Sequence, residues 1–236
     1  MAIYATADLH GYPLSAFRKL LGSCGFSSRD DLYVLGDVID RHGSGGIDLL
    51  RWMMCQTNVE LIMGNHEAMM LRSAFVFREI TAENLDAITP DEMDQLSVWL
   101  ANGGEVTLRT MKTLMRSDPE LVEEILAYCE DAPLYACIEA GGREFVLVHA
   151  GLGSFAEEKD LSAYTPDELL WTRPEREDRY FRDRITVFGH TPTLYYGAEY
   201  RRRALHTPTW IDIDTGADGE NHPMLLRLDD LQEFYP

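Results

Sequence analysis

The chain has 236 residues, 45% hydrophobic and 26% charged, which suits one α/β domain with a properly buried core. A formal net charge of −19 excludes a general basic field for nucleic acid or an anionic membrane surface, so neither is expected as a partner. No apolar run approaches the roughly 20 residues that span a bilayer, and the opening Met-Ala-Ile-Tyr-Ala-Thr-Ala-Asp lacks a basic leader, so a cytoplasmic protein is expected.

Residues 2–7 form an apolar run that predicts a first strand and stops at Asp8-Leu9-His10. A helical pattern over 13–21 leads to a second strand at 32–35, which stops at Gly36-Asp37. A helix over 47–55, a strand over 59–63 ending at Gly64-Asn65-His66 and a helix over 67–77 follow. This alternation predicts a layered α/β arrangement. Between about 77 and 130 the pattern is helical, with Asn102-Gly103-Gly104 as a stop and Asp118-Pro119 as a restart; it reads as an insertion able to cap a cleft. Residues 134–139 and 144–148 flank Gly141-Gly142-Arg143 as a hairpin whose second strand stops at His149-Ala150-Gly151. A strand over 185–188 stops at Gly189-His190-Thr191, and runs at 210–214 and 224–228 add late strands, so the sheets read as mixed and doubled within a single domain, 1–236. The four cysteines have no metal-binding spacing and read as buried free thiols. Eight arginines between 173 and 203 read as a solvated face and turn, Arg173 excepted.

The chemistry gathers at the strand ends, where ligands collect in such folds. Asp8 and His10, two apart on an extended segment, share one side and can grip a cation. Asp37, Asp40 and Arg41 are either a turn held by an Asp–Arg pair, or a carboxylate that bridges two metals beside a guanidinium that clamps phosphate. Asn65 is either a helix N-cap or a ligand through its amide oxygen, leaving His66 for proton transfer near the positive end of the helix dipole. His149 and His190 each end a strand. Five clusters of Asp, His and Asn thus occupy strand ends and use four of the seven histidines, so the conjunction is stronger than any member.

The order D-x-H, G-D-x-x-D-R, G-N-H-E, H-A-G, G-H-T resembles the phosphoprotein phosphatase family of calcineurin-like metallophosphoesterases from residue 2 to about 216. Leu-Leu-Trp-Thr-Arg-Pro at 169–174 and Asp214-Thr215-Gly216 resemble its bacterial members. The resemblance implies a layered α/β/β/α sandwich of mixed sheets with a helical insertion, and two divalent ions. Mn²⁺ is the foremost expectation, with Fe²⁺, Zn²⁺ and Mg²⁺ as alternatives. It implies Asp8, His10 and Asp37 on one ion, and Asp37, Asn65, His149 and His190 on the other. Arg41, Arg173 and Asn65 would contact the phosphate, and His66, oriented by Asp40, would donate a proton to the leaving oxygen. A hydroxide shared by the ions would attack phosphorus in line. Two positions depart from the family pattern: His42 stands where Gly is usual, and Thr6-Ala7 precede the first motif.

The substrate expected from this resemblance is a phosphomonoester, foremost phosphoserine or phosphothreonine in a protein, or a small phosphate ester. Two other readings stay open. One is a dinucleoside tetraphosphate hydrolase, whose motifs resemble G-D-x-x-N-R and G-N-H-D where this chain has Asp40 and Glu67. The other is a non-catalytic metal-binding module that recognises phosphorylated partners.

Overall fold

The structure is a computed structural model, described here over residues 1–78, 87–217 and 222–236. Three short apolar runs, β1 (Ile3–Thr6), β2 (Asp31–Val34) and β3 (Val59–Leu61), pair in parallel. Helices α1 (Leu14–Ser23) and α2 (Ile47–Met54) make the crossovers that parallel pairing requires. Further along come α3 (Asn65–Arg72), α4 (Pro90–Trp99), α5 (Glu105–Ser117) and α6 (Pro119–Glu130). The hairpin β4 (Tyr135–Ala140) and β5 (Arg143–Val148), the short α7 (Pro166–Leu170), β6 (Arg184–Phe188), β7 (Leu205–His206) and β8 (Trp210–Asp212) build a second sheet. Strand β9 (Leu225–Arg227) joins the first sheet antiparallel to β1, and β10 (Gln232–Phe234) pairs antiparallel with β9. The orders are β10-β9-β1-β2-β3 and β4-β5-β6-β8-β7. This is the mixed, doubled α/β arrangement expected.

Side-chain alternation decides which layer each residue enters. Ala5, Leu35 and Leu226 from the first sheet meet Phe145, Leu147, Val187 and Ile211 from the second in a core between the sheets. Their chain neighbours face outward: Tyr4, Leu32 and Val34 pack under helices α1 to α6, and Val146, Val148 and Phe188 pack with Trp210 and Leu169 on the far side. Strands buried on both faces carry no polar alternation, which is why their sequences read as continuous apolar runs.

Boundaries differ from expectation where tertiary bonds intervene. Met63 leaves the third strand to donate its N–H to Pro133 O at 2.8 Å, so β3 ends at Leu61. The helix expected over 67–77 stops at Arg72, and Ala74–Phe77 forms a separate 3-10 turn. Gly103, at φ 99°, separates α4 from α5, while Thr89 with Glu92 and Pro90, and Asp118 with Pro119, start α4 and α6. Part of the segment expected as a helical insertion, residues 79–86, lies outside the described residues. The cysteines are free as expected, but only Cys129 is buried; Cys55, which follows the last residue of α2, and Cys137, in the edge strand β4, are exposed. No helix among the described residues is long and apolar enough to cross a membrane.

The ends of β2 and β3 approach through two glycines. Gly36 sits at φ 81°, and a Cβ there would lie 2.5 Å from Gly64 Cα and 2.8 Å from His149 Nδ1. Gly36→Ala is therefore expected to destabilise the protein by about 2 kcal/mol or more, through backbone strain and overpacking, measured by urea denaturation.

Candidate active site

Strands β1, β2 and β3 are parallel in one sheet, and β5, β6 and β8 are parallel in the other. Their carboxyl ends deliver residues from both sheets to one place. Asp8, His10, Asp37, Asn65, His66, His149 and His190 are each 6% exposed or less. Among the described residues nine non-glycine positions have positive φ, and six of them belong to the expected site: Asp8, His10, Asp37, Asp40, Arg41 and His190. Backbone strain of about 1–3 kcal/mol per residue persists only where the surroundings impose it. Here it aims polar side chains inward from turns that regular structure would point elsewhere.

The imidazoles are oriented by backbone carbonyls. His10 Nδ1 donates to Ile39 O at 3.1 Å and His149 Nδ1 to Leu35 O at 2.7 Å, which leaves each Nε2 as a lone pair when the ring is neutral. Burial keeps them neutral: it draws His10 down to about 3, His190 down to about 2 and His149 below the usual histidine range. These lone pairs point at oxygens. His10 Nε2 is 3.6 Å from Asp37 Oδ2, and His149 Nε2 is 2.8 Å from Asn65 Oδ1 and 3.4 Å from Asp37 Oδ1. His190 Nε2 is buried and meets no hydrogen-bond partner among the described residues. Acceptors gathered against acceptors, together with an orphaned buried nitrogen, fit a site built for cations.

Two groups have ligand atoms within 4.8 Å of one another: His10, Asp37 and His66, and Asp37, His149 and His190. Asp37 is common to both, as a bridging carboxylate would be. Asp8 stands outside either group. Its Oδ2 accepts the His190 N–H at 2.9 Å, and burial, with the charges of Asp214 and Asp37, raises its carboxyl well above the usual range. Asn65 is not the helix cap; Gly64 holds that position, and the Asn65 side chain turns to His149.

His66 and Asp40 form a tight pair. His66 Nδ1 lies 2.7 Å from Asp40 Oδ2, and although burial disfavours the imidazolium, Asp37 and Asp40 together raise His66 above its ordinary value. Asp40 is fully buried and clamped from a direction that sequence reasoning missed. Trp99 Nε1, at the end of α4, donates to its Oδ2 at 2.8 Å. The Thr107 hydroxyl, from α5, donates to its Oδ1 at 2.6 Å and accepts the Asp40 N–H at 3.0 Å. The junction between the two helices adds a third link, since Gly103 O accepts the Arg41 N–H at 3.1 Å. Glu67 is buried too, and its carboxylate accepts N–H bonds from Asp37, Val38, Ile39 and Gly64.

Above these residues lies a cavity of about 190 Å³ lined by His10, Asp37, Asn65, His66, His190 and Asp214, with Arg41, Arg173, Asn102, Trp171, Pro192 and Tyr195 at its mouth. Both expected phosphate-binding arginines are present. Arg41 Nη2 lies 3.4 Å from His66 Nε2, and Arg173 Nη1 donates to His190 O and Thr191 Oγ1, each at 3.2 Å. A larger hollow of about 900 Å³ between α1 and α2 contains none of the expected ligands. His42 is exposed and does not line the small cavity. Trp171 and Tyr195 were not anticipated, although Trp171 stands two residues before Arg173 in the Leu-Leu-Trp-Thr-Arg-Pro segment.

The profile of the calcineurin-like phosphoesterase family matches residues 1–213. Similar curated proteins include a symmetrical bis(5'-nucleosyl)-tetraphosphatase of Acidovorax ebreus (strain TPSY), 28% identical over 83% of this chain and 59% of that protein. A protein of the same name from Chromobacterium violaceum is 32% identical, over 83% of this chain and 58% of its own length. The Nitrosomonas europaea one is 26% identical over 99% of this chain and 97% of its own length. The chain thus spans just under three fifths of the first two. Among solved structures, a putative diadenosine tetraphosphatase (TM-score 0.55, 16% identity, 98% of this chain and 90% of that one) is similar in fold. So is a protein serine/threonine phosphatase from Saccharomyces cerevisiae (TM-score 0.60, 16% identity, 100% of this chain and 80% of that one).

These relatives overturn the expectation of a phosphoserine/phosphothreonine phosphatase, because the three curated proteins named above are symmetrical bis(5'-nucleosyl)-tetraphosphatases. The geometry shows why the two residues used as discriminators misled. Asp40 is held by His66, Trp99 and Thr107, and Glu67 by four backbone N–H groups, so neither faces the cavity where a substrate would be read. Metallophosphoesterase motifs, two mixed sheets and the profile match agree: the chain belongs to the calcineurin-like phosphoesterase family.

Proposed function

We propose that the protein is a metal-dependent hydrolase of dinucleoside polyphosphates that cleaves a bis(5'-nucleosyl) tetraphosphate into two nucleoside diphosphates. The observation that carries this reading is the name shared by relatives that align with 83% or more of the chain. A cavity of about 190 Å³ flanked by two arginines supports it, since it accommodates a phosphoryl group with charge neutralisation on two sides.

In this reading Asp8, His10, Asp37, Asn65, His149 and His190 hold two divalent ions, with Asp37 shared, and Mn²⁺ is the ion of choice for a first assay. When bound, the ions supply Lewis-acid polarisation of the phosphate and of an attacking water. Arg41 and Arg173 bind the phosphoryl oxygens and stabilise charge as it shifts in the transition state. They also offset the repulsion between a polyphosphate and a protein of net charge −19. His66 keeps its Nδ1 against Asp40, so Nε2 is the atom that delivers a proton to the leaving diphosphate.

With Mn²⁺ present, diadenosine tetraphosphate is expected to give ADP as the sole nucleotide product by anion-exchange chromatography, and excess EDTA to abolish turnover. ATP and AMP in equal amounts would refute symmetrical cleavage. Asp37→Asn is expected to lose bound metal, by elemental analysis, together with activity; an active, fully metallated variant would remove Asp37 from the bridging role. His66→Asn is expected to lower kcat by about 10² while metal content stays intact, the low end of general-acid effects because a leaving phosphate is a weak base. Loss of metal in that variant would make His66 a ligand, as its grouping with His10 and Asp37 allows.

A further inference from the structure

The cavity at the candidate centre holds about 190 Å³, less than the about 300–1,000 Å³ of pockets that enclose whole small ligands. It admits a phosphoryl group and leaves the rest of an extended substrate on the rim. Two large aromatic side chains face solvent at that rim: Trp171 at 37% exposure and Tyr195 at 80%. Trp171 and Tyr195 line the cavity mouth together with Arg41 and Arg173. Scattered exposed aromatics need no explanation, whereas aromatics grouped at a cleft mark a place where something binds.

The two successive tyrosines make the contrast plain. Tyr196 turns inward, donates its hydroxyl to Pro174 O at 2.9 Å and packs its ring 5.9 Å from that of Trp210. Tyr195 turns outward, and among the described residues its side chain makes neither a hydrogen bond nor a ring contact. Its position therefore owes nothing to the core. The Trp171 ring stands at 88° to the His190 imidazole, with centroids 6.0 Å apart. An aromatic ring seated beside a candidate metal ligand and still more than a third exposed is placed to meet a flat group whose phosphate enters the cavity.

We infer that Trp171 and Tyr195 form a stacking platform for one nucleobase of the substrate, with Arg41 and Arg173 taking the phosphates that join that base to the reacting phosphorus. The inference rests on the dinucleoside polyphosphate reading above. Every base offers a π-face, so the platform selects for a base without selecting among bases.

The test compares diadenosine tetraphosphate with inorganic tetrapolyphosphate, which offers the anhydride without a base. The quantity read is the ratio of the two kcat/KM values, measured with Mn²⁺ in the wild type and in Tyr195→Ala, Tyr195→Phe and Trp171→Ala. The ratio is expected to fall about ten-fold in each alanine variant, through KM for the dinucleotide, and to hold within about two-fold in Tyr195→Phe, which keeps the ring. Trp171→Ala also removes a contact to His190, so the deciding variant is Tyr195→Ala, at a side chain that is 80% exposed. An unchanged ratio in Tyr195→Ala, with the wild type active on diadenosine tetraphosphate, overturns the platform alone. A wild type that cleaves tetrapolyphosphate but no dinucleotide overturns the parent reading and this one with it.

Discussion

The turn that follows β2 has no strand to pair with, yet three of its successive N–H groups need acceptors. Glu67 supplies them: its carboxylate receives the N–H of Asp37 at 2.8 Å, Val38 at 2.9 Å and Ile39 at 3.2 Å, and then reaches Gly64 at 3.2 Å. One buried anion thereby ties the end of the second strand to the start of α3. Burial pushes the Glu67 carboxyl up to about 7 and the Asp37 charge adds to this, while the backbone bonds draw it back. Asp37 completes the knot by accepting the His66 N–H at 3.0 Å. These bonds hold Asp37, Asn65 and His66 from within the protein, and groups held in this way are what electrostatic preorganisation requires.

The surrounding residues show how strain and burial are combined to hold groups that would otherwise avoid each other. Left-handed backbone at Asp8, His10, Asp37, Asp40, Arg41 and His190 brings polar side chains from separate turns together at one site. Two packed sheets and their shared apolar core supply the stability that makes this strain tolerable. A carbonyl behind His10 and another behind His149 then select which ring nitrogen faces forward. Such outer partners tune a metal site as much as its ligands do.

Much of this was legible in the sequence because parallel strands buried on both faces announce themselves as apolar runs, and each run stops where the chain turns toward the site. The stops at Asp8, Asp37, Asn65, His149 and His190 marked the site before any topology was known. What could not be read were bonds between residues distant in the chain. Trp99 and Thr107 reach Asp40 across 59 and 67 positions, and in the sequence they look like ordinary residues of amphipathic helices. Glu67 counted in the sequence only as a motif position that separates two branches of the family, whereas its partners are amides in another turn. Tyr195 gave no signal at all, since nothing in a pair of tyrosines says which one faces water. The substrate class failed for the same reason: the residues that differ between branches of a family need not be the residues that touch what is cleaved.

The clamp on Asp40 extends the site well past its visible edge. Gly104 has no room for a side chain, because a Cβ there would lie 2.5 Å from Trp99 Nε1, and a Cβ at Gly45 would lie 2.5 Å from the Thr107 hydroxyl. Two glycines and two helix residues, none of them facing the cavity, are thus bound into one mechanical unit with the partner of His66. An engineer who spared only side chains within reach of a docked phosphate would treat α4 and α5 as free scaffold. Rebuilding those helices would instead unseat the Asp40 carboxylate from behind and turn His66 away from its partner, with every residue lining the cavity unchanged in identity.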